Sequence, residues 1–158
     1  MEQAVGGELA QYSNLHSLPD KPANLARLGT YVVYDSGYGW SDYRVLYTQR
    51  SEDDDALGLM FRVQDADNYY RFSWDRSRGY RRLVKNVNGK FTLLAEDSVP
   101  YETGRTYQAV VIAQKSRLTV FVDGAPIFDV TDLDLIEGTV GFYSWGNQGS
   151  LFDDLHVQ

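Results

Sequence analysis

Apolar and polar residues alternate along the chain with a period of two, and the alternating runs return at the eight-to-twelve-residue spacing of a sandwich or barrel. Helical periodicity is almost absent. The pattern predicts strands over 8–13, 29–34, 42–50, 56–64, 69–75, 80–87, 90–96, 106–114, 117–123, 126–130, 139–145 and 151–157. Twelve strands this short require two packed sheets, so the expected fold is all-β, a two-sheet antiparallel β-sandwich of the jelly-roll kind. One domain is expected over 1–158. Its least regular stretch, "SNLHSLPDKPANLARLG" at 13–29, reads as a long surface loop.

Turn chemistry fixes a register for the central strands. In "ALGLMFRVQDADNYYRFSWD" a loop over Asp65–Asn68 pairs Val63 with Tyr70, Phe61 with Phe72 and Leu59 with Trp74 on a core face. The opposite face then carries Arg62 beside Arg71 and Met60 beside Ser73. A turn at Ser77-Arg78 adds a third strand, setting Arg82 beside Ser73, Tyr80 beside Asp75 and Leu83 with Phe72. Three arginines, Arg62, Arg71 and Arg82, are thus expected to converge. "VNGK" at 87–90 and "VDGAP" at 122–126 read as tight hairpin turns.

Composition narrows the function. The 158 residues are 43% hydrophobic and 14% aromatic, too apolar for a disordered segment. No cysteine is present, which removes disulfides and thiolate metal sites. The net charge of −7 argues against a broad nucleic-acid surface. No apolar run approaches the ~20 residues that span a bilayer, so no membrane insertion is expected. The opening "MEQAVGGELAQ" lacks a signal-peptide pattern, which suits a module from a larger chain.

The runs "WSDYRV", "DDDALGLMFRVQDADNYYRFSWD", "YRRLVKNVNGKFTLLAED", "GRTYQAVV", "LTVFVDGAPIFDVTD" and "GTVGFYSWGNQGSLFDDLHV" resemble the concanavalin A-like lectin/glucanase superfamily. Over roughly 29–158 the chain is similar to the laminin-G-like jelly-roll modules of bacterial extracellular proteins, and also to the C-terminal lectin-like domain of thrombospondins. The resemblance implies a secreted or cell-surface location, a glycan partner and tethering to other domains. It also raises structural calcium. The superfamily's glucanases carry Glu-x-Asp-x-x-Glu on one strand. Here "EDDDAL" is consecutive rather than alternating. Lyase-like members need a Gln-x-His strand, and the two histidines, His16 and His156, lack that context. A non-catalytic module is therefore expected, with a hydrolase or lyase as the outlying alternative.

Candidate ligand residues follow from chemistry. Trp40 with Tyr38, and Trp145 with Asn147, sit among turn residues where flat rings could stack on sugars. Arg62, Arg71 and Arg82 could grip an anionic glycan bidentately, or pair with surface acids at about 1 kcal/mol or less each. Trp74 is assigned to the core. For calcium, which takes several oxygen ligands, the candidates are Asp153 and Asp154, Asp129 with Asp132 and Asp134, and the run Asp53–Asp55. Carbohydrate binding is the first reading. A structural or adhesion module with no sugar site is the second.

Overall fold

Asn88-Gly89 and Asp123-Gly124 all take positive φ, the geometry of two-residue turns whose twist matches the strands they join. The hairpins they close belong to a structure, a computed structural model, that describes residues 3–5 (backbone only), 7–15 and 19–158. His16 lies outside the described residues. Thirteen strands are described: β1 (Gln3–Val5), β2 (Leu9–Gln11), β3 (Thr30–Val33), β4 (Tyr43–Ser51), β5 (Ala56–Asp65), β6 (Asn68–Asp75), β7 (Tyr80–Val87), β8 (Lys90–Asp97), β9 (Thr106–Gln114), β10 (Arg117–Val122), β11 (Ala125–Thr131), β12 (Thr139–Trp145) and β13 (Ser150–Val157). Twelve match the expected strands, and β1 is additional.

The strands form two antiparallel sheets. One runs β1-β13-β4-β9-β10-β11, with β2 also on β13; the other runs β3-β12-β5-β6-β7-β8. Their inner faces make the main core. Leu57, Leu59, Phe61, Tyr70, Phe72, Trp74 and Leu83 meet Val45, Tyr47, Val111, Leu118, Val120 and Phe152. Trp74 is buried as expected, and its indole N–H donates to the Val99 carbonyl at 2.7 Å.

The β5–β6 register differs from the sequence expectation by two residues. Phe61 pairs with Tyr70, Leu59 with Phe72 and Leu57 with Trp74, whereas Asp65 and Asn68 close the hairpin. Three residues, Arg62–Gln64, thus stand opposite Tyr69 alone. This is a β-bulge, with Arg62 at φ +46°. Because the slip is even, Leu57, Leu59 and Phe61 stay on the core face with Tyr70, Phe72 and Trp74, but the bulge turns Val63, expected on that face, to the outer one, where it clusters with Met60, Tyr69, Tyr143 and Trp145. Met60 now neighbours Arg71 and Gly58 neighbours Ser73. The bulge also needs Gly138: at its φ of +144°, a Cβ would lie 2.6 Å from the Val63 nitrogen. The β6–β7 pairs Ser73–Arg82, Asp75–Tyr80 and Phe72–Leu83 match expectation.

The second departure is burial. β4 alternates inward and outward, but β5, β6 and β7 are buried on both faces. Part of the cover comes from 19–29, expected as a free surface loop, which crosses the outer face of the six-stranded sheet.

Candidate functional site

Rows of paired residues build the outer face of the six-stranded sheet. Across β12, β5, β6 and β7 the first row is Trp145, Ala56, Asp75, Tyr80 and the second is Tyr143, Gly58, Ser73, Arg82. Of the four middle positions, Ala56, Gly58 and Ser73 are small and Asp75 is a buried carboxylate. Ala56, Gly58 and Ser73 therefore floor a trough walled by Trp145 and Tyr143 on one side and Tyr80 and Arg82 on the other.

Charge concentrates at one end of this trough. Arg78, from the β6–β7 turn, pairs with Asp55 and, at 3.3 Å, with Asp75; its guanidinium lies 4.3 Å from the Trp145 ring centroid. Arg82 pairs with Glu96 and lies 3.7 Å from the Tyr80 centroid. Burial pushes the Asp75 and Asp55 carboxyls above the usual carboxylate range, with Arg78 pulling both partly back. The Tyr80 hydroxyl is pushed up to about 12, chiefly by burial and then by Asp75. Asn147 braces this end from behind. Fully buried, its amide donates to the Ser51 hydroxyl at 2.7 Å and to the Asp55 carbonyl at 2.8 Å.

Segment 19–29 lies over the trough. Arg71 donates to the carbonyls of Leu25 at 2.8 Å and Arg27 at 3.0 Å, and the Tyr143 hydroxyl donates to Arg27 O at 2.6 Å. The Arg27 guanidinium lies 5.2 Å from the Tyr80 ring and 5.0 Å from the Trp145 ring, paired with Asp75 at 3.0 Å and Asp20 at 2.9 Å.

The expected site residues therefore separate. Trp145, Arg71 and Arg82 share the outer face. Arg62 does not join them, because the bulge turns it into the end of the sandwich, where it donates to the carbonyls of Ser41 at 2.9 Å and Leu135 at 3.0 Å. Trp40 is at that end too: its carbonyl accepts from Gly138, seven residues, or about 23 Å, from Trp145 along β12. Its ring stacks on Tyr34 at 5.5 Å and lies against the Gly37 backbone, a packing role, while Tyr38 is exposed nearby. Arg27, Arg78, Asp75 and Tyr80 were not singled out as ligand residues. The expected register does place Tyr80 beside Asp75, but it sets Ser73 against Met60, so the small pair Gly58 and Ser73 arises only from the two-residue slip.

The acidic candidates are likewise separated. Asp129 pairs with Arg117, and Asp132 with Lys85 and the Tyr70 hydroxyl. The Asp154 N–H, at φ +53°, donates to the Asp153 carboxylate at 2.8 Å, so that local bond holds the pair. Among the described residues, Asp53, Asp54 and Asp55 are the acids whose ligand atoms come within 4.8 Å of one another. Asp53 already accepts from the N–H groups of Asp54 and Gln148. His156 lies on β13, apart from the trough.

Similarity to known proteins fits this architecture. The chain resembles the carbohydrate-binding module CBM66 from Bacillus subtilis, with a TM-score of 0.72 and 22% identity over 81% of this chain and 80% of that one. It also resembles the galectin LEC-6 of Caenorhabditis elegans, with a TM-score of 0.63 and 15% identity over 82% of this chain and 90% of that one. The fold is a lectin-like β-sandwich. In sequence, 91 residues are 29% identical to a levanase of Bacillus subtilis (strain 168), a match spanning 57% of this chain but 13% of the levanase. No protein-family profile matches the chain.

Proposed function

We propose that this chain is a carbohydrate-binding module whose glycan lies in the outer-face trough, against Trp145, Tyr80, Asp75, Asp55 and Arg78. The observation that carries the reading is the trough itself, two aromatic walls over a floor of small residues with a carboxylate–guanidinium cluster at one end. Rings take the apolar face of a sugar, while fixed carboxylate and guanidinium groups accept from and donate to its hydroxyls. The levanase similarity and the CBM66-like fold support it, as does the laminin-G-like resemblance of the sequence. A neutral glycan fits better than an anionic one, because Arg71 is engaged with carbonyls and Arg78 and Arg82 with carboxylates. The module acts without catalysis, as one part of a larger secreted or surface protein that carries the degrading activity.

The test is isothermal titration and affinity electrophoresis against levan first, then a panel of neutral and anionic polysaccharides, with Trp145→Ala beside the wild type. Retention by a neutral glycan, lost in Trp145→Ala while the fold survives, is the expected result. Failure of every glycan to bind overturns the reading. Sugar release from the panel at high protein concentration would make the chain an enzyme instead. The near-complete burial of Trp145 favours a second reading, a structural or adhesion module whose outer face is closed scaffold.

A further inference from the structure

We propose that Pro19–Gly29 is a releasable strap, closed over the glycan trough, and that Arg27 occupies the place a ligand takes when the strap lifts. This rests on the carbohydrate-binding reading above and adds its regulation.

Burial along the strap is what separates it from ordinary scaffold. From Pro19 to Gly29 only Arg27 is buried; Pro19, Lys21, Pro22, Ala23, Asn24 and Leu28 face solvent. Leu28 is 59% exposed and Leu25 and Ala26 are only partly buried, so no apolar side chain of the segment is fully buried. Its attachment is polar: the Arg71 and Tyr143 bonds to its carbonyls, and Arg27 between two rings with Asp75 on one side. Segments with little apolar burial open at free energies well below that of global unfolding. The strap is therefore the element of this face that can leave without unfolding the sheet.

Arg71 is the latch. Its guanidinium forms no ion pair with any described acid; its partners are the carbonyls of Leu25, Ala26 and Arg27. Backbone carbonyls carry no sequence information, so Arg71 holds this stretch much as a binding groove holds a peptide. Arg27 then fills the trough at the point where Trp145, Tyr80 and Asp75 converge. Asp75 keeps Arg78 as a partner when Arg27 withdraws, so opening strands no buried carboxylate.

A ligand that needs the open form has its affinity reduced by the fraction of molecules that are open. If that fraction is about 1–10%, removing the latch tightens binding by about 10–100-fold. The experiment pairs hydrogen exchange with titration on the full chain, using levan or whichever glycan of the panel binds. Arg71→Met keeps most of the side-chain volume between Phe91 and Tyr143 but removes the bonds to the strap. Two results are expected. Glycan makes amides within 20–29 of the wild type exchange faster, and Arg71→Met binds the glycan at least about tenfold more tightly. If Arg71→Met fails to fold, the wild-type exchange result decides alone. Glycan binding that depends on Trp145 but leaves amides 20–29 unchanged or slower overturns the strap and spares the carbohydrate reading. Unchanged or weaker binding by folded Arg71→Met overturns it equally. Absence of glycan binding in both wild type and Arg71→Met removes the carbohydrate reading and the strap with it.

Discussion

Arg62→Ala should cost far more than an exposed arginine would. The side chain is fully buried at the β5 bulge and donates to the Leu135 carbonyl and twice to Ser41 O. Ser41 is exposed, so water can replace the guanidinium there, but Leu135 is buried and its carbonyl loses its charged donor. An orphaned buried acceptor costs about 1–3 kcal/mol, and the void left by the aliphatic stem adds to it. The nearest carboxylate, Asp42, is 3.7 Å away and about half exposed, so its loss of a partner adds little. The total is about 2–4 kcal/mol, or about 4–16 °C in Tm for a domain of this size. Urea denaturation gives the free energy and calorimetry the Tm. Arg117→Ala is the control: Arg117 pairs with Asp129 in solvent, and its loss should leave the midpoint unchanged. A loss for Arg62→Ala below about 0.5 kcal/mol, indistinguishable from the control, would refute the reasoning that the bulge builds a buried arginine site.

Three further outcomes are expected. Phe72→Ala, at a fully buried position 6.4 Å from the Phe128 ring, should lower stability by about 3–5 kcal/mol in urea titration. Gly138→Ala should cost at least about 1–3 kcal/mol from its φ alone, with added backbone overlap at Val63 read as a lower Tm. Burial would raise the Asp132 carboxyl, but bonds from Lys85 and Tyr70 overcome it and hold the group below its usual value. A lowered folded pKa gives stability that is present above the unfolded value of about 4 and lost as pH falls toward the folded one. Asp132→Asn should therefore be less stable near neutrality and lose less on going to about pH 3, as urea midpoints at the two pH values will show.

Where the information was local, the sequence was legible. Asn88-Gly89 and Asp123-Gly124 demand positive φ at adjacent residues, and the hairpins around them form where turn chemistry puts them. Trp74 falls on the core face from the hairpin register, and an even slip by itself leaves a side chain on its face; it is the bulge that takes Val63 off the face expected for it. The bulge was not legible, since nothing near Arg62 in sequence announces a positive φ. What stabilises it lies elsewhere: the Leu135 carbonyl, 73 residues on, and the close approach of Gly138. The trough was half legible. The β6–β7 half of its rows follows from a turn legible in the sequence, but the β5–β6 half depends on the bulge, and its occupant comes from a stretch without periodicity, where Arg27 meets Asp75 across 48 residues and Tyr80 across 53.

Trp40 and Trp145 looked alike in sequence, each an indole among turn residues, and the physics of what covers them separates their roles. Trp40 is stacked by Tyr34 and backed by Gly37, an apolar cover that water cannot replace without loss of burial. Trp145 is covered by the guanidiniums of Arg27 and Arg78. A cation over a ring face is worth only about 0.5–2 kcal/mol and keeps much of its own hydration when it moves into water. A sugar ring presenting its apolar face offers the indole the dispersion contact that Arg27 now makes, and its hydroxyls can take over the Asp75 carboxylate. On the proposed carbohydrate reading, exchanging one cover for the other leaves no buried charge unpaired, so the strap as well as the trough would set the affinity.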